Sequence, residues 1–230
     1  MGGRGRDFLG GGGEQRGRTD ESPIVWAGRN VAVSQNAMKV LGEENAKDAA
    51  EYIANAISFL TGSDDYTSLS IDDSASGSSY AHMRLFTGQM GINPKMYKDL
   101  SELKKIYDRD VESGFHPKGT GMTDVFVHEA AHRLDAIMAR KNRLNKMTST
   151  IVVPEAIQAV KDAMKQRGET PKTSEQIQRS LSGYGADYYK KYSGDHYVET
   201  FAEALADYNK NKNNANELSK EIVKRIQRYL

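Results

Sequence analysis

Two histidines four residues apart with a glutamate beside the first, His128-Glu129-Ala130-Ala131-His132, are the residues of this 230-residue chain whose types and spacing can do chemistry. Positions four apart on a helix share a face, so both imidazoles can turn toward one ion while Glu129 reaches a water beside it and takes its proton. The flanking residues predict that helix. Thr123 is placed as an N-cap, Asp124 lies in the first turn where the helix dipole favours an anion, and Arg140, Lys141 and Arg143 crowd the far end. Val127, Ala131, Leu134 and Met138 form its buried stripe. Asp135, three residues past His132, is placed to accept a proton from a ligand imidazole and hold its orientation.

A catalytic zinc commonly takes three protein ligands and leaves one position to solvent, so a third donor must come from elsewhere. The chain has no cysteine and five histidines, which leaves His82, His116, His196 or a carboxylate. An HExxHxxGxxH continuation is absent, because position 138 is Met138. The strongest offer is the segment from Tyr197 to Tyr208, read as a helix with Phe201, Leu205 and Tyr208 on one face and Glu199, Glu203 and Ala206 on another. His196, three residues before Glu199, is the competing donor but precedes the expected helix start. His82 reads as a strand residue, and His116, before Pro117, as part of a turn.

HEAAHRLD followed by ETFAEALADY resembles the gluzincin zinc metallopeptidases of the anthrax lethal factor catalytic-domain type, found in phage-borne and toxin-like zincin domains. The likeness spans roughly residue 115 to the C-terminus and is weak before it. It implies a zincin-like fold, Zn²⁺ as cofactor, and His128, His132 and Glu199 as its ligands. It further implies Glu129 as general base, Glu203 in support of the ligands, and a tyrosine upstream of Glu199 that donates to the developing oxyanion. Two tyrosines compete for that last role: Tyr192 has the family's distance to Glu199, while Tyr184, in Leu181-Ser182-Gly183-Tyr184-Gly185, matches the family's surrounding residues. The loop Phe115-His116-Pro117-Lys118-Gly119-Thr120 is similar to one in phage head-associated proteins with a zincin-like domain. The implied activity is a zinc-dependent endopeptidase acting on a protein or peptide. The alternative is a phage head-associated structural protein whose zinc site is mainly structural, with phage structural proteins as partners.

The elements that must position these residues are legible in outline. Residues 1–22, rich in Gly and Arg, carry too little apolar surface to offset ordering entropy and read as a disordered tail without a signal-peptide h-region. Order is expected from Pro23–Trp26 as one domain over 23–230, with the active-site cleft between 23–121 and 122–230. Ala46, Ala49, Ala50, Ile53, Ile57 and Leu60 predict an amphipathic helix over 43–60, ended by Thr61-Gly62 and packed on a sheet. Short strands are expected over 67–71 and 80–86, paired with one another, with a further extended segment at 91–94 and a brief helix around 100–107. Helices follow at 154–166, 174–181, 197–210 and 217–230. Strands followed by helices make the fold class α+β, a small mixed N-terminal sheet with a backing helix and a mostly helical C-terminal half.

With 32 Lys+Arg against 31 Asp+Glu the formal charge is +1, which argues against nucleic acid as a partner, although the Arg-Gly tail and Lys220, Lys224, Arg225 and Arg228 keep that reading in view. No stretch approaches the ~20 apolar residues that cross a bilayer, so no membrane partner is expected and the location is read as host cytoplasm or virion.

Overall fold

A computed structural model describes residues 24–28, 30–66, 68–192 and 196–230. The tail read over 1–22 lies outside the described residues. Strand β1 (Ile24–Gly28) runs antiparallel to β2 (Val31–Ser34), and α1 (Gln35–Leu41) and α2 (Glu43–Thr61) follow. Three more strands complete the sheet, β3 (Leu69–Asp72), β4 (Ala81–Arg84) and β5 (Gln89–Ile92), in the order β1-β2-β3-β5-β4. β2, β3 and β5 are parallel, and β1 and β4 are antiparallel to their neighbours at the two edges.

The expected direct pairing of the 67–71 and 80–86 strands is corrected here. β5 lies between them, because the tight turn after β4 folds β5 back onto it, Met83 opposite Met90, and leaves β5 to take β3 on its other side. A hairpin connection closes over a few residues, whereas the longer 73–80 segment has no such constraint. Helix α2 backs the sheet as expected and stops at Gly62, whose left-handed φ of 71° lets its N–H return to Ser58 O.

The C-terminal half holds α3 (Leu100–Glu112), α4 (Asp124–Lys141), α5 (Ser149–Gln166), α6 (Ser174–Leu181), α7 (Gly183–Lys191), α8 (Val198–Asn211) and α9 (Glu217–Ile226). One continuous core joins Val33, Ile71 and Met90 of the sheet to Ile53 and Ile57 of α2, Leu134 and Met138 of α4, Ile157 of α5, Phe201 and Leu205 of α8 and Ile222 of α9. The chain is therefore α+β, with a small mixed sheet and a mostly helical remainder.

Two local expectations give way to tertiary partners. Thr123 makes no side-chain cap on α4; instead Asp124 Oδ2 accepts the Gly121 N–H at 2.7 Å. α5 begins at Ser149, five residues before Pro154, because Asp135 Oδ1 accepts the Ser149 N–H at 2.8 Å and the proline is carried inside the helix without its missing donor. α8 is buried on the Glu199/Glu203 side as well as on the Phe201/Leu205 side, so it is the central helix of this half.

Candidate metal centre

α8 lies alongside α4, and small buried residues, Ala131 on α4 and Ala202 and Ala206 on α8, share the helix faces that carry the histidines and Glu199. His128 and His132 occupy one face of α4, and Glu199 comes from the first turn of α8. His128 Nε2 is 3.2 Å from Glu199 Oε2 and 3.2 Å from His132 Nε2, and His132 Nε2 is 3.5 Å from Glu199 Oε2. The three atoms thus form a nearly equilateral triangle. Ligand atoms held ~2.0–2.1 Å from a tetrahedral ion stand about 3.3–3.4 Å apart, so this donor set has the spacing of three corners of such a shell. Among the described residues, these three form the one group able to hold a metal ion. Their side chains keep 12%, 15% and 10% exposure.

The surroundings are electronegative. Burial disfavours the charged form of His128, yet the Glu199 hydrogen bond and the charges of Glu203, Glu199 and Glu129 outweigh it and hold the imidazole at about 9. His132 is raised against the same burial by Glu199. Burial would raise the Glu199 carboxyl, but the two imidazoles hold it well below the usual carboxylate range. Glu129 moves the other way: burial pushes its pKa up, only partly offset by His132 and His128. Its carboxylate makes no hydrogen bond among the described residues.

Glu203, one turn beyond Glu199 and 1% exposed, places Oε1 3.7 Å from His128 Nδ1 and 2.9 Å from His116 Nδ1. His116 thus lies in the turn expected before Pro117, but buried, and is not a donor to the triangle. Sequence reasoning missed its link to Glu203, and no spacing could have revealed it across 87 residues.

Of the two tyrosines, the structure brings Tyr184 to the site, its ring 6.1 Å from the His128 ring. Burial first, then the charges of Glu199, Glu129 and Glu203, raise its pKa, so the hydroxyl keeps its proton. Tyr192, at the end of α7, packs against Tyr188 at 4.6 Å and His196 at 4.9 Å instead. His196 lies in that aromatic group and not in the donor triangle. His82 sits on β4, half-buried beside Ser74.

Helix α7, which carries Tyr184, was not anticipated from the sequence. It forms because Ser182 caps it, accepting from Gly185 N at 3.2 Å, and because Gly183 N and Tyr184 N donate to Gly114 O and Phe115 O at 2.8 and 3.0 Å. Gly185 also brings α7 against α8: a Cβ there would meet Thr200 Oγ1 at 3.0 Å and Thr200 Cα at 3.1 Å.

Asp135 does not meet the expectation set by its spacing. It is fully buried and caps α5 through Oδ1, while Oδ2 has no hydrogen-bond partner among the described residues. On the opposite end of the chain, Arg225 and Arg228 are engaged by Glu221 and Glu155, which reduces the basic character of α9. No helix among the described residues is long and apolar enough to cross a membrane. Compared with protein-family models, curated proteins and solved structures, the chain matches none.

Proposed function

We propose that the chain is a zinc-dependent endopeptidase with a zincin-like fold, holding Zn²⁺ through His128, His132 and Glu199. The observation that carries this reading is the donor triangle with 3.2, 3.2 and 3.5 Å sides, built from two helices and bordered by a glutamate that makes no hydrogen bond among the described residues. Two imidazoles and one carboxylate suit zinc, although cobalt and manganese accept the same donors. Zinc held there supplies Lewis acidity, bringing the pKa of water toward ~7 and polarising the scissile carbonyl.

The chain's own residues supply the rest. Glu129, buried and without a hydrogen-bond partner among the described residues, is a carboxylate whose raised pKa suits it to take a proton from the attacking water. It then delivers that proton to the leaving amine nitrogen. Tyr184, protonated across the physiological range, donates its O–H to the oxyanion of the tetrahedral intermediate. β4 is an edge strand of the sheet and packs against α4, so its outer edge can align an extended peptide through backbone hydrogen bonds.

The other reading, a phage head-associated structural protein with a structural zinc, calls for a fourth protein donor that closes the site. The described residues offer three, with Glu129 beside them, which favours the enzyme. The test is metal analysis of the purified chain joined to mapping of cleaved peptides. Wild type and Glu129→Gln are both expected to carry one zinc, and only wild type to cleave. Full cleavage by Glu129→Gln would remove the mechanism.

A further inference from the structure

His116 lies in the loop between α3 and α4, which meets the site both through this side chain and through its backbone. Its ring lies flat on Tyr107, with centroids 4.7 Å apart and planes 9° apart, and meets Phe115 and Tyr184 edge-on at 5.1 and 6.2 Å. In this aromatic enclosure Nε2 is buried without a hydrogen-bond partner among the described residues, and the ring's polar contact there is made by Nδ1. That contact is Glu203 Oε1 at 2.9 Å, the oxygen that also stands 3.7 Å from His128 Nδ1. The same loop fixes Tyr184 through its backbone: Phe115 O accepts from Tyr184 N at 3.0 Å and from Ser182 Oγ at 2.8 Å.

We propose that His116 is a positioning residue for the metal centre, its Nδ1–H pinning Glu203 Oε1 against the back of the His128 imidazole. The inference rests on reading His128, His132 and Glu199 as metal ligands. A carboxylate that is 1% exposed must be held by donors, and Glu203 faces two imidazoles. With the His116 donor in place, one oxygen is directed at His128 Nδ1, which leaves His128 Nε2 turned toward His132 and Glu199. Without it the carboxylate can rotate to take His128 differently or seek water, and the ligand loses its orientation. Loss of such a supporting partner typically weakens metal affinity about 10–100-fold.

Two substitutions separate the hydrogen bond from the packing. His116→Phe keeps the ring on Tyr107 and removes the donor, whereas His116→Asn removes the ring and keeps an N–H near the Nδ1 position. Zn²⁺ affinity is measured on the full chain by competition with a chromophoric chelator, alongside thermal melting of the metal-free forms. Affinity is expected to fall at least about 10-fold in His116→Phe and to return to within about 3-fold of wild type in His116→Asn. Wild-type affinity in His116→Phe, or equal weakness in both variants, overturns the proposal whatever happens to the melting temperature. Glu203→Gln, which leaves His116 and the fold's side-chain volume in place, should weaken binding by the same route. Unchanged affinity there overturns it even if the Phe variant does not fold. A wild-type chain that takes up no Zn²⁺ fails one step earlier, removing the metal-centre reading and this inference with it.

Discussion

Glu199 Oε2 stands 3.2 Å from His128 Nε2 across 71 residues of intervening chain. α5, α6 and α7 fill that interval, and α8 returns beside α4 with its first turn level with the histidine pair. Glu199→Ala is expected to release the metal, with an affinity loss beyond the ~10–100-fold typical of losing a mere supporting partner. Glu199→Gln keeps an oxygen but not the charge and should lie between. Chelator competition reads both, and zinc retained at wild-type affinity in the alanine variant would show that the third donor lies elsewhere.

Tyr184 and Tyr192 make a clean pair of controls. Removing the Tyr184 hydroxyl takes away a donor used only as negative charge develops, so Tyr184→Phe should lower kcat by about 10²–10³-fold with KM and zinc content unchanged. Tyr192→Phe, in the aromatic group with Tyr188 and His196, should leave kcat near wild type. Steady-state kinetics on a cleaved peptide decide, and the reverse pattern would exchange the two roles.

The approach of α7 to α8 is set by Gly185. A methyl group there meets backbone and side chain of Thr200 at 3.0–3.1 Å, in a region where Thr200 Oγ1 is already committed to Gln178 Oε1. Gly185→Ala should therefore cost about 1–3 kcal/mol, the usual range for overpacking, and displace Tyr184 from the His128 ring. Urea denaturation measures the first effect. The second appears as a kcat loss with zinc affinity retained, and a variant as stable and as active as wild type would show that α7 shifts freely.

Asp135 gives the fold a pH dependence. Burial raises its carboxyl to about 6 from an ordinary 3.8, against the opposing Ser149 hydrogen bond and the His132 charge. The folded chain thus binds this proton more tightly than the unfolded chain, so Asp135's contribution to stability falls as pH rises from about 4 to about 6 and is constant on either side. At about 1.4 kcal/mol per pH unit the span is on the order of 3 kcal/mol. Asp135→Asn keeps an oxygen for Ser149 N–H and removes the titration. Melting of metal-free protein should show the variant gaining on wild type between pH 4 and 6, and parallel curves across that window would refute the assignment.

The local elements most visible in the sequence are those whose signal is periodic and self-contained. Expected 43–60 and observed Glu43–Thr61 agree because alanines and isoleucines at helical spacing end at a glycine that can turn left-handed. The 174–181 helix agrees because Thr173 and Gln176 form a reciprocal cap written in adjacent residues. α7 carries little local signal because Gly183 and Gly185 lower helix propensity, whereas in the fold they are what permits contact with Gly114 and Thr200. The start of α5 was misplaced because its capping carboxylate, Asp135, sits on another helix.

The sequence alone determined that two imidazoles and a glutamate share one turn of α4, since helical spacing is a local property. It also determined that the remaining donor had to be nitrogen or oxygen, since no cysteine is present. Only the tertiary structure decided that Glu199 faces those imidazoles, that Tyr184 rather than Tyr192 lies beside them, and that Glu203 is shared with His116. Those relationships depend on how closely α7 and α8 approach α4, and that distance is set by side-chain volumes and backbone hydrogen bonds among residues far apart in the chain.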